Sequence, residues 1–291
     1  MSWRIVVVNT RAKLDLQMNY LVIRKEEITK IFLGEIGIII IENTAVSLTA
    51  ALLAELVKRK IKVIFCDEKR NPSSELLPYY GSHDCSLKIR NQIKWDKEVC
   101  DLVWTLIVED KIKKQRDLLK VKNYSEHELL DRYLDELELF DTSNREGHAA
   151  KVYFNALFGL DFSRSGDNSI NAALNYGYAI ILSAFNREIV ANGYLTQIGI
   201  FHNNIFNPFN LSSDLMEPYR PLIDSCVYNL KLTSFENKTK LQLIQVLTEK
   251  VKIMGKTHSV DNAIKIYVKS VFDAIEYEDA NLLRFYEIYE K

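Results

Sequence analysis

The chain reads as an α+β protein: an N-terminal β-rich domain over residues 1–80, followed by an all-α domain over 81–291. Three observations predict this. Up to about residue 80 the apolar residues fall in short, β-branched runs between polar breaks. The segment DEKRNPSSELLPYYGSHD, 67–84, then collects Pro, Ser, Asn and Gly and reads as a domain boundary. Beyond it, apolar residues recur at helical spacing almost to the end.

The strand-like runs are WRIVVV, KLDLQM, YLVIRK, KIFLG, IGIIII and KVIFC. Before the last of them, VSLTAALLAELVKRK at 46–60 has helical periodicity and a basic end, which suits a helix C-terminus. The first domain is therefore expected to be a small sheet carrying one helix. In the second, Leu87 to Lys122 reads as one long helix or two, and SEHELLDRYLDELELF opens with a cap and carries its own apolar stripe. Further helices are expected at about 143–158, 168–192, 213–230, 238–254, 260–276 and 279–290. No internal repeat or low-complexity tract is present.

At 291 residues the chain is long enough for two domains with a real core. With 47% hydrophobic and 26% charged residues, and only 10 Gly and 5 Pro, it is not a disordered or linker-rich chain. The formal net charge of -1 means that nucleic-acid binding needs a local basic face and not a global excess of positive charge. Cys66, Cys85, Cys100 and Cys226 are scattered with no CxxC pair, against a zinc ribbon or a disulfide framework, and fit a reducing compartment. The stretch MSWRIVVVNTRAKLDL lacks the pattern of a signal peptide, and no apolar run approaches the ~20 residues of a membrane helix. A cytoplasmic protein with no membrane partner is expected.

Candidate chemistry begins in SNREGHAAKVYFNALFG, 143–159, a helix with Ser143 or Asn144 as N-cap and Gly159 as C-cap. Glu146 in its first turn either complements the helix dipole, through a capping box with Ser143, or is confined by a neighbour approaching over Ala149 and Ala150. In IGIFHNNIFNPFNLSSDLMEPYRP, 198–221, His202 is either a structural imidazole or a ligand. Asp214 and Glu217 share a helical face, either as an N-cap pair or as acids presented by a helix start that Pro218 loosens. Together Glu146, His202 and Glu217, with Asp214 alongside, offer oxygen ligands plus one imidazole. That mixture suits Mg²⁺ or Mn²⁺ better than structural zinc, and phosphoryl transfer is the matching reaction class. No HExxH motif occurs.

The helix in DFSRSGDNSINAALNYGYAIILSAFNREI carries Asn168, Asn171, Asn175 and Tyr178 on one stripe, either a solvent face, a polar network, or part of the site. Arg164 and Asp167 precede it, where they can position a phosphate and a metal ligand. The run KIKKQRDLLKVK, 111–122, with Lys88, Arg90 and Lys94 before it, is either a solvated face or a track for a nucleic-acid backbone.

REGHAAKVYFNALFG, the FSRSGDNSINAALNYGYA block, GIFHNN and DLMEPYRP, in that order, closely resemble the CRISPR-associated spacer-acquisition endonuclease, the "Cas-one" integrase subunit, in its type II-A form. The motif-bearing part spans about 145–221. By this resemblance Glu146, His202 and Glu217 are the catalytic metal ligands, for Mg²⁺ or Mn²⁺, and Asp214 is an assisting acid. Many relatives carry Asp where this chain has Glu217. The resemblance implies a dimerising N-terminal domain and a helical catalytic domain. Two homodimers flank a dimer of the small partner "Cas-two" in a heterohexamer of four and two. DNA partners are implied as well: a prespacer duplex, whose 3′-hydroxyl ends attack the borders of a CRISPR repeat by transesterification. A ring-forming DNA-end binder and the effector nuclease are further partners, all in a bacterial cytoplasm. Arg145, Lys151, Arg164 and Arg220 are the expected phosphate contacts. The rival readings are a catalytically silent DNA-binding scaffold and a hydrolytic nuclease unconnected with integration.

Overall fold

The computed structural model describes residues 4–79 and 82–288. Trp3 of the first run, the 80/81 boundary and the last residues of the 279–290 stretch lie outside the described residues. The chain divides into two compact units, 1–81 and 82–291.

The first unit holds two four-stranded sheets where one small sheet was expected. In one, β1 (Arg4–Val8), β5 (Ile36–Ile41) and β7 (Lys62–Cys66) run parallel, and β8 (Pro72–Glu75) closes the edge antiparallel to β7. Every residue of β5, IGIIII, is buried, as its continuous apolar run requires of a strand flanked on both sides. The other sheet orders β4 (Ile28–Phe32), β3 (Tyr20–Arg24), β2 (Lys13–Gln17) and β6 (Ser47–Leu48). The connection from β5 to β7 contains α1 (Ala50–Lys58), capped by Thr49, whose hydroxyl accepts from Leu52 N at 3.3 Å. Leu14, Leu21, Leu52, Leu56 and Val63 join β1 and β5 residues in the core. Part of the expected linker is thus strand: Pro72 opens an edge strand, where its missing N–H costs no ladder bond.

The second unit is helical. Leu87 to Lys122 forms two helices, α2 (Cys85–Gln92) and α3 (Lys97–Val121), the second capped by Asp96, which accepts from Val99 N at 3.1 Å. Then come α4 (His127–Asp135), α5 (Arg145–Phe158), α6 (Ser169–Ala191), α7 (Asn210–Leu215), α8 (Arg220–Leu230), α9 (Asn237–Gln245) and α10 (Val260–Glu276). The central helix α6 is buried along most of its length, and Gly177 lets α8 approach: a Cβ there would lie 2.5 Å from Ile223 Cγ2.

Three expected helices end differently. The 213–230 stretch breaks into α7, a 3-10 turn at Glu217–Tyr219 and α8, with prolines opening the latter two. The 238–254 stretch stops at Gln245. KVKI then forms β9 (Lys250–Ile253), with alternate residues buried, and pairs antiparallel with β10 (Lys256–Ser259). The turn uses Met254 (φ 53) and Gly255 (φ 72), the two successive positive φ values that a tight hairpin needs. The 279–290 stretch becomes a 3-10 turn and β11 (Glu287–Ile288), which also pairs with β9. The helical unit thus carries a three-stranded sheet that periodicity did not suggest. Among the described residues no helix is long and apolar enough to cross a membrane.

Candidate active site

Glu146 stands in the first turn of α5, and the expected Ser143 capping box does not form. Asn144, at the cap position, has left-handed φ/ψ and no capping side-chain bond, while the Ser143 hydroxyl donates to the Glu136 carbonyl. Asp141 caps instead, accepting from the backbone N–H of Arg145 at 2.6 Å and of Glu146 at 3.0 Å. This frees the Glu146 carboxylate to reach away from its own helix, and it accepts a bond from Lys111 Nζ of α3 at 2.5 Å. Ala149, one turn on, is fully buried, and α5 packs against both α3 and α4.

Glu217 begins the 3-10 turn after α7 and is 3% exposed. Lys111 Nζ donates to one of its oxygens and Arg220 Nε to the other at 2.8 Å. Burial pushes the Glu217 carboxyl up, but Arg220 and Lys111 overcome that and hold it ionised, at a pKa of about 2. Burial alone would likewise neutralise the Lys111 ammonium, yet the Glu217 and Glu146 carboxylates outweigh it and raise its pKa. One ammonium is thus the meeting point of two acids brought from different elements.

Asp214 is neither cap nor surface acid. Fully buried within α7, it accepts from the backbone N–H of Ile200 (2.6 Å), Phe201 (3.0 Å) and His202 (3.0 Å) and meets His202 Nδ1 at 2.5 Å. Four contacts on one carboxylate fold the GIFH segment into a fixed turn. Gly199 is required inside it: a Cβ there would lie 2.6 Å from Asp214 Oδ2 and closer still to the His202 carbonyl. Gln92 of α2 fastens the same segment, donating to the carbonyls of Leu195 and Ile198 and accepting from Leu195 N, each at 2.9 Å. Trp104 of α3 stacks on Phe201 at 4.3 Å and meets His202 edge-on at 6.0 Å. The Asp214 bond raises the His202 pKa above its usual value, against partial burial, with Glu217 and Glu146 adding to it through space. Asp214 engages Nδ1, which leaves Nε2 as the nitrogen able to take a ligand or a proton.

Behind Glu217 lies Asp224 of α8, fully buried, accepting from Tyr153 at 3.1 Å and from Tyr178. Burial raises it to a pKa of about 6 against these two bonds. A cleft of about 240 Å³ opens beside Glu217 and Asp224. Arg164 and Arg220, two of the four expected phosphate contacts, line it, with Arg220 over the Tyr178 ring at 4.6 Å and Arg164 over it at 5.4 Å. The asparagine stripe of α6 serves Arg164: Asn171 and Asn175 accept from its guanidinium, and Asn168 caps the helix. Arg145 is committed elsewhere, 3.1 Å from Glu136 and over the Tyr133 ring, while Lys151 and Asp167 are exposed.

The basic run 111–122 is not a solvated face. Lys111 and Lys114 are buried, Lys114 pairs with Asp110 beneath the Tyr286 ring, Lys113 pairs with Glu109, and Arg116 with Asp131. Lys111, Lys113, Lys114 and Arg116 thus neutralise acids of this unit and are not a free basic track, while Lys120 is exposed and Lys122 donates to Asn229 at 2.8 Å. Lys111, Asp141, Gln92, Trp104 and Asp224 were not anticipated as site residues.

Among the described residues no three His, Cys, Asp or Glu side chains are gathered in a group that could hold a metal ion. The Lys111 ammonium occupies the point between Glu146 and Glu217. In chemical terms the donors suit a hard divalent cation: two carboxylates already share one positive charge, Glu217 is held ionised, and the outward nitrogen of His202 lies in their field.

A family model described as CRISPR associated protein Cas1 matches residues 5–242. The chain belongs to the Cas1 family. The CRISPR-associated endonuclease Cas1 of Neisseria meningitidis serogroup C (strain 8013) is 34% identical to it over 295 residues, covering 99% of this chain and 97% of the relative. Among solved structures, a casposase bound to integration product superposes with a TM-score of 0.78 at 19% identity, covering 96% of this chain and 92% of that one. A Cas6-RT-Cas1--Cas2 complex gives 0.73 at 18% identity; the match covers 99% of this chain but only 36% of that longer one. At these identities the structural matches establish a shared fold, a strand-rich region followed by a helical one, as read from the sequence. The Cas1 membership agrees with the family named from the four motifs.

Proposed function

We propose that this Cas1 protein is a divalent-metal-dependent DNA endonuclease and integrase of CRISPR adaptation, which joins the 3′-hydroxyl ends of a prespacer to the borders of a CRISPR repeat by transesterification. The observation that carries the reading is the convergence of Glu146 and Glu217 on a single cation, beside a histidine whose orientation a buried aspartate fixes.

In this reading Glu146, Glu217 and His202 Nε2 hold Mg²⁺ or Mn²⁺. When bound, the ion supplies charge for the oxygens of the scissile phosphate. The rest is work for side chains. Asp214 orients the His202 ring and, by raising its proton affinity, prepares it to accept a proton whenever it is not a ligand. Arg220 keeps Glu217 ionised and turned toward Lys111. Arg164, fixed on Asn171 and Asn175, presents its remaining N–H groups to a DNA phosphate, and Lys151 contributes a solvent-side charge. Arg145 is the weakest of the four expected contacts, because Glu136 already occupies it.

The partners that fit are DNA, a second copy of the chain and a Cas2-like subunit. The similarity to a casposase bound to integration product supports DNA, and that to a Cas6-RT-Cas1--Cas2 complex supports the Cas2-like subunit; the second copy follows from the motif resemblance. A heterohexamer of four and two, and the type II-A ring-forming end binder and effector nuclease, follow from the motif resemblance, as does a bacterial cytoplasmic location.

The test is joining of a short fluorescent duplex to a repeat-bearing plasmid, with the small partner present, in Mn²⁺, Mg²⁺ or EDTA. The wild type joins strands only with metal, and His202→Ala loses at least about 100-fold in rate, the scale of one general acid-base group. Joining in EDTA, or an unimpaired variant, would return His202 to a structural role. Cleavage without joining would favour a hydrolytic nuclease.

A further inference from the structure

The sequence EPYRP leaves a gap in the backbone bonding of the Glu217–Tyr219 turn. A 3-10 turn satisfies each carbonyl with the N–H three residues on. The N–H groups of Tyr219 and Arg220 do this for the carbonyls of Met216 and Glu217. Three residues after Pro218 stands Pro221, which has no N–H to give. The Pro218 carbonyl accepts from the Tyr286 hydroxyl, a buried bond of 3.1 Å made across 68 residues of chain. The peptide group between Pro218 and Tyr219 is thus held at its N–H by Met216 and at its oxygen by Tyr286.

Tyr286 is itself firmly placed. It is 2% exposed, its ring packs on Tyr219 at 4.6 Å between centroids, and the Lys114 ammonium, one turn along α3 from Lys111, lies 4.1 Å from its centre. Just before it, Arg284 N donates to the Ser270 hydroxyl of α10 at 3.0 Å, and Phe285 packs on Tyr267 of α10 at 5.5 Å. Just after it, Glu287 and Ile288 pair with β9. Residues 284–288 therefore form a strap tied to α10 on one side and to β9 on the other, and its middle residue grips the turn that begins at Glu217. Lys111 and Arg220 act on the Glu217 carboxylate, whereas Tyr286 acts on the backbone that carries it.

We infer that Tyr286 is a positioning residue for Glu217: through its hydroxyl the strap 284–288 fixes the Glu217–Tyr219 turn and so sets where the Glu217 carboxylate stands relative to Glu146 and His202. The inference deepens the reading of Glu217 as a metal-holding acid and rests on it for its effect on metal uptake. Its effect on the turn stands without that reading.

The experiment compares the full wild-type chain with Tyr286→Phe, which keeps the ring contacts and removes only the hydroxyl. In EDTA, the amides of Tyr219 and Arg220 should exchange hydrogen about tenfold faster in the variant, the scale of one buried hydrogen bond left unmade, with the amides of α6 unchanged. In calorimetric titration with Mn²⁺, the variant should take up the ion about tenfold more weakly, again the scale of that one bond. Three results overturn the inference. Exchange at Tyr219 and Arg220 is unchanged; or exchange quickens throughout α6 as well, which would make Tyr286 a core residue only; or the turn loosens while Mn²⁺ uptake matches the wild type. A wild type that takes up no Mn²⁺ removes the metal reading alone, and the exchange measurement, made without metal, still decides whether Tyr286 holds the turn.

Discussion

At the scale of single residues, Lys111 is the least expected participant and the most exposed to test. A buried ammonium bridging two acids costs desolvation that only the paired charges offset. Replacing it with methionine leaves Glu146 without its cation and Glu217 with Arg220 alone. In EDTA, Lys111→Met is expected to lose about 3 kcal/mol, a fall in Tm of about 6 to 12 °C for a unit of this size. If Glu146 and Glu217 are metal ligands, Mn²⁺ then takes the vacated position and restores stability by mass action. Calorimetric melting with and without Mn²⁺ checks this: the ion should raise the variant's Tm more than the wild type's. Equal response in both proteins would mean that the carboxylates serve only the ion pair.

At the scale of elements, the GIFH turn is held from α2, α3 and α7 at once, so small changes inside it are felt at His202. In Gly199→Ala the added Cβ collides with Asp214 and the His202 carbonyl, and the turn must open. The expected cost is about 1–3 kcal/mol, as for other overpacked sites, with a loss of joining larger than the loss of folded protein. The imidazole reports it directly. In the wild type the His202 pKa is raised, so its pairing with Asp214 stabilises the fold fully below the ordinary value of 6.5, and that contribution fades as pH rises through the folded value. NMR titration of the variant should bring His202 back toward 6.5; an unchanged midpoint would show that the turn does not depend on Gly199. The same turn shows what sequence could and could not reveal. IGIIII announced a buried strand and REGHAAKVYFNALF a helix because each carries its own periodicity. Glu146, His202 and Glu217 stood out in the sequence as candidate acids and imidazole, but that Glu146 and Glu217 meet at Lys111 was not readable from it. For Asp214 the sequence left a helix cap and an assisting acid both open; its hold on the GIFH turn was not legible, because its four donors lie 12 to 14 residues back in the chain. Lys111 was hidden inside a charge run whose burial only tertiary packing decides. The β9–β10 hairpin was masked by flanking helical periodicity, although Met254-Gly255 was a usable turn signal.

At the scale of the whole molecule, what needs explaining is the apolar surface left on the first unit. Its second sheet ends in β4, an edge strand, where Ile28 and Phe32 are exposed and Tyr20 of β3 pairs with Phe32 at 5.6 Å between ring centroids. Met18, in the β2–β3 turn, is 86% exposed. Unpaired edges with exposed aromatic groups invite association, and soluble proteins normally blunt or cover them. A second copy of the chain is the occupant that the proposed homodimer supplies. Light scattering of the wild type at micromolar concentration should then give twice the mass of the chain. Phe32→Lys places a charge at the edge without disturbing a buried group and should shift the mass to that of one chain, with Tm changed by less than about 1 kcal/mol equivalent, as for a surface site. A wild type that is monomeric throughout would remove the homodimer from the functional reading. A dimer that survives Phe32→Lys would move its interface to another face of the chain. Either result leaves the site around Lys111 intact, because every residue that builds it belongs to the second unit.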